Sequence, residues 1–75
     1  MESALRKIAA RVFRIDEQSL TPESSPQTIA RWDSLKHMSL VSSVEEQLGI
    51  QFTADEIIGI KTFGDLLRKA AQKKA

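Results

Sequence analysis

The chain predicts an all-α fold: a small four-helix bundle with three main helices, one short helix and a long loop between the first two. Two observations carry that reading. Apolar residues recur at spacings of three and four in separate stretches. No run alternates in the strand period over a useful length; Ile50-Gln51-Phe52-Thr53 comes nearest and is too short to build a sheet. The 75 residues make one domain, 1–75. Cysteine is absent, which excludes a disulfide framework and a thiolate metal site. A single apolar core must therefore hold a chain near the lower size limit, and modest stability is expected.

Residues 2–14 predict the first helix. Leu5, Ile8, Ala9 and Val12 share a stripe that Phe13 widens, while Arg6, Lys7, Arg11 and Arg14 take the opposite face. Residues 16–33 predict a connection, because Pro22, Pro26 and Ser24-Ser25 interrupt regular structure. Its Ile15, Leu20, Ile29 and Trp32 lack a period and are expected to pin the loop to the core. Residues 34–48 predict the second helix, with Asp33 and Ser34 as starters and Gly49 as the left-handed stop. Its stripe, Leu35, Met38, Val41, Val44 and Leu48, is expected to be mainly core, its exposed edge alone meeting partners. Thr53-Ala54-Asp55-Glu56 is a capping box that opens a short helix bearing Ile57, Ile58 and Ile60, weakened by Gly59. Thr62 should cap the last helix, with Asp65 in its first turn, Phe63, Leu66, Leu67 and Ala70 inward, and Lys69, Lys73 and Lys74 at its end.

Net charge is +1, but it is unevenly spread. Residues 1–15 carry +3, residues 16–32 carry −2, residues 33–60 carry −4 and residues 61–75 carry +4. The acidic middle contains the start of the second helix, which predicts a positively charged partner surface there. No stretch is long and apolar enough to span a membrane and no apolar leader is visible, so a cytoplasmic monomer is expected.

Ser34 is the one residue with a clear chemical opening. A hydroxyl at a helix N-terminus faces unpaired N–H groups and the positive end of the helix dipole, where a phosphate ester would sit well. The plain alternative is that Ser34 is only an N-cap. His37 lies one turn on, but a Ser–His nucleophile pair would lack an elbow, an oxyanion segment and a deep pocket; a surface histidine is the expectation. It is also the sole histidine, so a metal site would need carboxylates alone, and Asp55 and Glu56 read as first-turn charges.

Asp33-Ser34-Leu35 opening a helix, Glu45-Glu46-Gln47-Leu48-Gly49-Ile50 closing it, and the run through Phe52, Thr53, Asp55, Glu56, Ile60, Lys61, Thr62 and Phe63 together resemble the acyl carrier protein family, over essentially the whole chain. The resemblance implies a non-enzymatic four-helix carrier. Ser34, flanked by Asp33 and Leu35, would accept 4′-phosphopantetheine from coenzyme A through a magnesium-dependent phosphopantetheinyl transferase. The arm's thiol would carry acyl groups as thioesters between acyl-loading and acyl-processing enzymes. Partner recognition would fall to Lys36, Met38, Ser39, Ser42, Glu45, Glu46 and Ile58, and an acyl cavity to Val44, Phe52, Ile57 and Ile60. Lys36 stands where fatty-acid carriers are commonly acidic, and the chain as a whole is not acidic, which favours a specialised acyl or polyketide-type pathway.

Three other readings stand beside this one. A peptidyl or aminoacyl carrier would usually show paired glycines before the serine, and Arg31-Trp32 stands there. A small nucleic-acid-binding domain would use the basic ends, but residues 34–48 set only Lys36 and His37 against Glu45 and Glu46, and no short turn precedes them as a helix-turn-helix needs. No nucleic-acid partner and no metal are therefore expected. An unmodified protein-interaction bundle would share the fold and differ only in the fate of Ser34.

Overall fold

In the computed structural model, which describes residues 2–74, α1 (Glu2–Phe13) turns Leu5, Ile8, Ala9, Ala10 and Phe13 inward. It packs against α2 (Ser34–Leu48), whose Leu40, Val41 and Val44 are buried. A single 3-10 turn (Glu17–Ser19) lies in the connection between them. The five-residue α3 (Ala54–Ile58) and then α4 (Phe63–Lys74) complete the bundle, and no strand occurs among the described residues. Phe63, Leu66 and Ala70 of α4 join one core with Leu20, Ile29, Trp32, Phe52 and Ile60. Full burial of each Leu or Phe stabilises the fold by roughly 1.5–3 kcal/mol.

The stripe predicted for α2 divides along its length. Val41 and Val44 are core and Leu48 is partly buried, but Leu35 is 75% exposed and Met38 48% exposed. Leu40, outside the predicted stripe, is fully buried instead. The core-facing side of α2 thus centres on Leu40, Val41 and Val44, and the first turn is left facing solvent.

The helix ends are individually satisfied. Asp33 is the N-cap of α2, its Oδ1 accepting from the Lys36 N–H at 2.8 Å. Gly49, at φ 66°, closes α2 in the left-handed region. The Thr53–Glu56 capping box is formed, and Gly59 ends α3 rather than lying inside it. Thr62 Oγ1 accepts from the Asp65 N–H, while Asp65 Oδ2 accepts from the N–H groups of Lys61 and Thr62. The first helix ends one residue earlier than predicted, because Arg14 adopts a left-handed φ of 57°. That geometry turns Ile15 so its N–H reaches the Ala10 carbonyl, a helix ending made without glycine.

The long connection is held at both ends of its path. Arg6 donates to the carbonyls of Glu17 and Leu20 and sits over the Phe63 ring, its guanidinium carbon 5.5 Å from the centroid. Ser24 and Ser25 are buried with their hydroxyls hydrogen-bonded inside the loop. The carbonyls of Ser24 and Pro22 then accept from the N–H groups of Phe63 and Gly64, at 2.8 and 2.9 Å, satisfying donors in the first turn of α4. A side chain at Gly64 would meet the Pro22 carbonyl oxygen at 3.0 Å, so that close approach uses the missing Cβ.

Two carboxylates in these caps are depressed below the ordinary range. The Lys73 ammonium and the Thr53 N–H hold Glu56 down. Partial burial pushes Asp65 up, but the Lys61 N–H, the Arg68 guanidinium and the Thr62 N–H outweigh it. Each group is ionised more readily folded than unfolded. Its stabilisation is complete above the ordinary carboxylate range and is lost as pH falls through the depressed folded value. Melting temperature should therefore fall on acidification. The double variant Glu56→Gln, Asp65→Asn should melt lower than the parent at neutral pH but show a flatter acid limb. Parallel acid limbs in thermal melts would remove these two groups from the linkage.

Candidate functional site

Asp33, Ser34 and the first turn of α2 occupy one end of the bundle. The cap on α2 is Asp33, so Ser34 is the first helical residue, and it is exposed. It borders an open hollow of about 740 Å³, whose lining includes Trp32, Asp33, His37 and Met38 on one side and Ile57, Ile58, Ile60 and Lys61 on the other. Ser34 thus stands beside an apolar channel between the start of α2 and the α3 segment.

The segment before Ser34 is fixed by Trp32. Its indole is buried and stacks on Phe13, with ring centroids 4.9 Å apart. Trp32 Nε1 donates to His37 Nδ1 at 2.9 Å, and the second ring nitrogen of His37 lies 3.0 Å from the Ile57 carbonyl oxygen. His37 is therefore not a free surface histidine but a half-buried link from the loop to α3. Both its nitrogens are engaged away from Ser34, which leaves no imidazole to act as base for that hydroxyl. Sequence reasoning missed this link because its far partner lies 20 residues away.

The sequence-predicted site residues separate into groups. Asp33, Ser34, Met38, Ile57, Ile58 and Ile60 meet around the hollow. Leu35 and Ile58, 75% and 72% exposed, flank it with Met38 as unpartnered apolar surface. Lys36 is half-buried in the first turn, and Ser39, Ser42 and Glu46 are exposed farther along α2. Glu45 is drawn inward, its carboxylate accepting from the Phe52 N–H at 2.7 Å. Val44 and Phe52 are core residues and do not line the hollow. No group of three or more His, Asp or Glu side chains gathers as a metal site among the described residues, and no helix there is long and apolar enough to cross a membrane.

A 4′-phosphopantetheine arm fits this arrangement. An exposed serine stands at the start of a fifteen-residue helix, and an open hollow with isoleucine and methionine in its lining lies beside it. Comparison with known proteins agrees. A family model described as a phosphopantetheine attachment site matches residues 3–69. The fold also superposes on the solution NMR structure of a holo acyl carrier protein from Geobacter metallireducens with a TM-score of 0.86. The two are 39% identical over 96% of this chain and 83% of that one.

The cap assignment separates two neighbouring substitutions. Asp33→Ala removes the side chain that accepts the Lys36 N–H and should cost about 1 kcal/mol of stability. Ser34→Ala removes no cap and should stay within about 0.5 kcal/mol of the parent. Urea titrations of the two variants check this; equal losses would place the cap on Ser34.

Proposed function

The chain belongs to the phosphopantetheine-attachment family of carrier proteins, whose prosthetic group is covalently bound 4′-phosphopantetheine, and we propose that Ser34 is the residue that holds it. The observation carrying the assignment is the exposed hydroxyl at the first position of α2, beside the apolar hollow. In this reading Ser34 Oγ bonds to the pyrophosphate phosphorus nearer the pantetheine of coenzyme A. The bond from that phosphorus to the adenosine bisphosphate breaks, and the serine proton leaves to a base on the transferase. Nothing in this chain needs to supply that base, since His37 is occupied on both nitrogens.

The role we assign is that of a non-enzymatic acyl carrier. The group supplies a thiol that holds acyl intermediates as thioesters. This chain's residues do the rest. Asp33 fixes the helix start, Trp32 anchors the segment before it, and Met38, Ile57, Ile58 and Ile60 offer an apolar bed beside the attachment point. A tethered cargo reaches each partner enzyme at high local concentration, so weak docking suffices. The exposed Leu35, Met38 and Ile58 suit such docking, with Met adaptable to several partners. The near-neutral charge and Lys36 in the first turn support service in a specialised acyl or polyketide-type pathway.

Incubation with coenzyme A, magnesium and a promiscuous phosphopantetheinyl transferase, followed by intact-mass and peptide analysis, tests the site. A mass gain on Ser34 that disappears in Ser34→Ala is expected; a gain that survives the substitution assigns the arm elsewhere. Docking charge is tested separately. Glu45 is unsuitable for reversal because its carboxylate holds the Phe52 N–H, but Glu46 is free of such a duty. Glu46→Lys should raise the transferase KM several-fold at low salt and weaken its salt dependence. An unchanged KM at low salt would remove Glu46 from the docking surface.

A further inference from the structure

The hollow beside Ser34 has a single lysine in its wall and no arginine. Among the residues that line it, the only carboxylate is that of Asp33 and the only ammonium that of Lys61. They belong to opposite sides. Asp33 caps α2 and accepts the Lys36 N–H, whereas Lys61 lies on the link between α3 and α4. Lys36, although only two positions from Ser34, does not line the hollow.

The backbone at Lys61 is held in place. Its N–H donates to Asp65 Oδ2 at 3.0 Å, the residue before it is the buried Ile60, and the residue after it is Thr62, whose Oγ1 accepts from the Asp65 N–H. Lys61 itself is exposed. The ion pairs of the described residues are Arg6–Glu2, Arg68–Asp65 and Lys73–Glu56. None of them involves Lys61. A fixed stretch of backbone thus presents an uncompensated positive charge to a hollow whose lining is otherwise largely apolar, with Ile57, Ile58, Ile60, Met38 and Trp32 in it.

Loading changes the charge of this hollow. A phosphodiester on Ser34 Oγ adds a negative charge next to the Asp33 carboxylate, and the two anions repel each other. We infer that the Lys61 ammonium is the counter-charge of that phosphodiester and draws the root of the arm toward the α3–α4 side of the hollow. The inference rests on Ser34 as the attachment point. Lysine suits the task. Its ammonium pairs with phosphate as a compact point charge and needs no fixed two-point geometry. Its four-carbon stem can follow apolar surface while the head meets the anion. The pair ties the start of α2 to the segment before α4, a connection that exists only once the arm is in place.

Because the pair forms only in the folded, loaded protein, it is read from stability. Arm-free and mass-verified loaded forms of the parent, Lys61→Gln, Lys61→Arg and Lys36→Gln are melted at low and high salt. At low salt the change in melting temperature on loading should be more positive in the parent than in Lys61→Gln, by about 1–5 °C. Lys61→Arg and Lys36→Gln should keep the parent's response, and the difference should vanish near about 1 M salt. An equal response in the parent and Lys61→Gln, or an equal loss in Lys36→Gln, overturns the inference. Backbone amide shifts give a second reading that needs no variant. Loading the parent should move Lys61 and Thr62 as well as Ser34 and Leu35, and a footprint confined to residues 33–38 overturns the inference. Uptake is read by mass before any melt, so a Ser34 that takes up no arm is recognised separately; it refutes the attachment site, and the counter-charge falls with it.

Discussion

A buried indole needs an acceptor for its N–H, and much of the site follows from how this chain provides one. Trp32 sinks onto Phe13 and carries the backbone before α2 down with it. Its N–H is met by His37, one turn into α2, and His37 in turn binds the backbone of α3. Leaving such a donor unpaired in the interior would cost on the order of 1–3 kcal/mol. A single core residue thereby fixes the register of Asp33 and Ser34 at the mouth of the helix and the distance of α3 from it. The serine is exposed because its neighbour two residues back is buried.

The other organising constraint is the supply of partners for helix ends. An eighteen-residue connection, 16–33, would be a liability in so small a domain if it only spanned a gap. Here its carbonyls terminate another helix: Ser24 and Pro22 accept from the first turn of α4, and Arg6 ties its early part to α1. The basic end of α4 repays the service at the far end of α2, where Lys74 donates to the Leu48 carbonyl. Loop and helices are ordered by each other.

Features set by local chemistry were legible in the sequence. Gly49 as a left-handed stop, the Thr53–Glu56 box and the bounds of α2 each depend on residues a few positions apart. The stripe on α2 was only half legible. Periodicity finds a face, but at the first turn α2 lies against an open hollow rather than another helix, so Leu35 and Met38 stay in solvent while Leu40 is swallowed. Arg14 gave no warning of its left-handed turn, since the usual glycine is missing. At the site, the place of Ser34 at the start of α2 was legible from the Asp33-Ser34 pair, whereas the links made by His37 and Glu45 were not. Their partners, Ile57 and Phe52, become neighbours only once α3 and its preceding segment fold back.

The brevity of α3 has its own consequence. Five residues are too few to sustain a helix in isolation. What keeps this one wound is borrowed from three neighbours: the Thr53–Glu56 cap, the Lys73 ammonium reaching from α4, and the imidazole reaching from α2. Its own packing adds little, for none of its residues is buried and Ile57 alone packs partly against the core. Ile58, 72% exposed, stands on this lightly packed segment, so a load on it is borne by the three tethers rather than by a core of its own. Of the α-helices among the described residues, α3 is the one that buries no residue of its own.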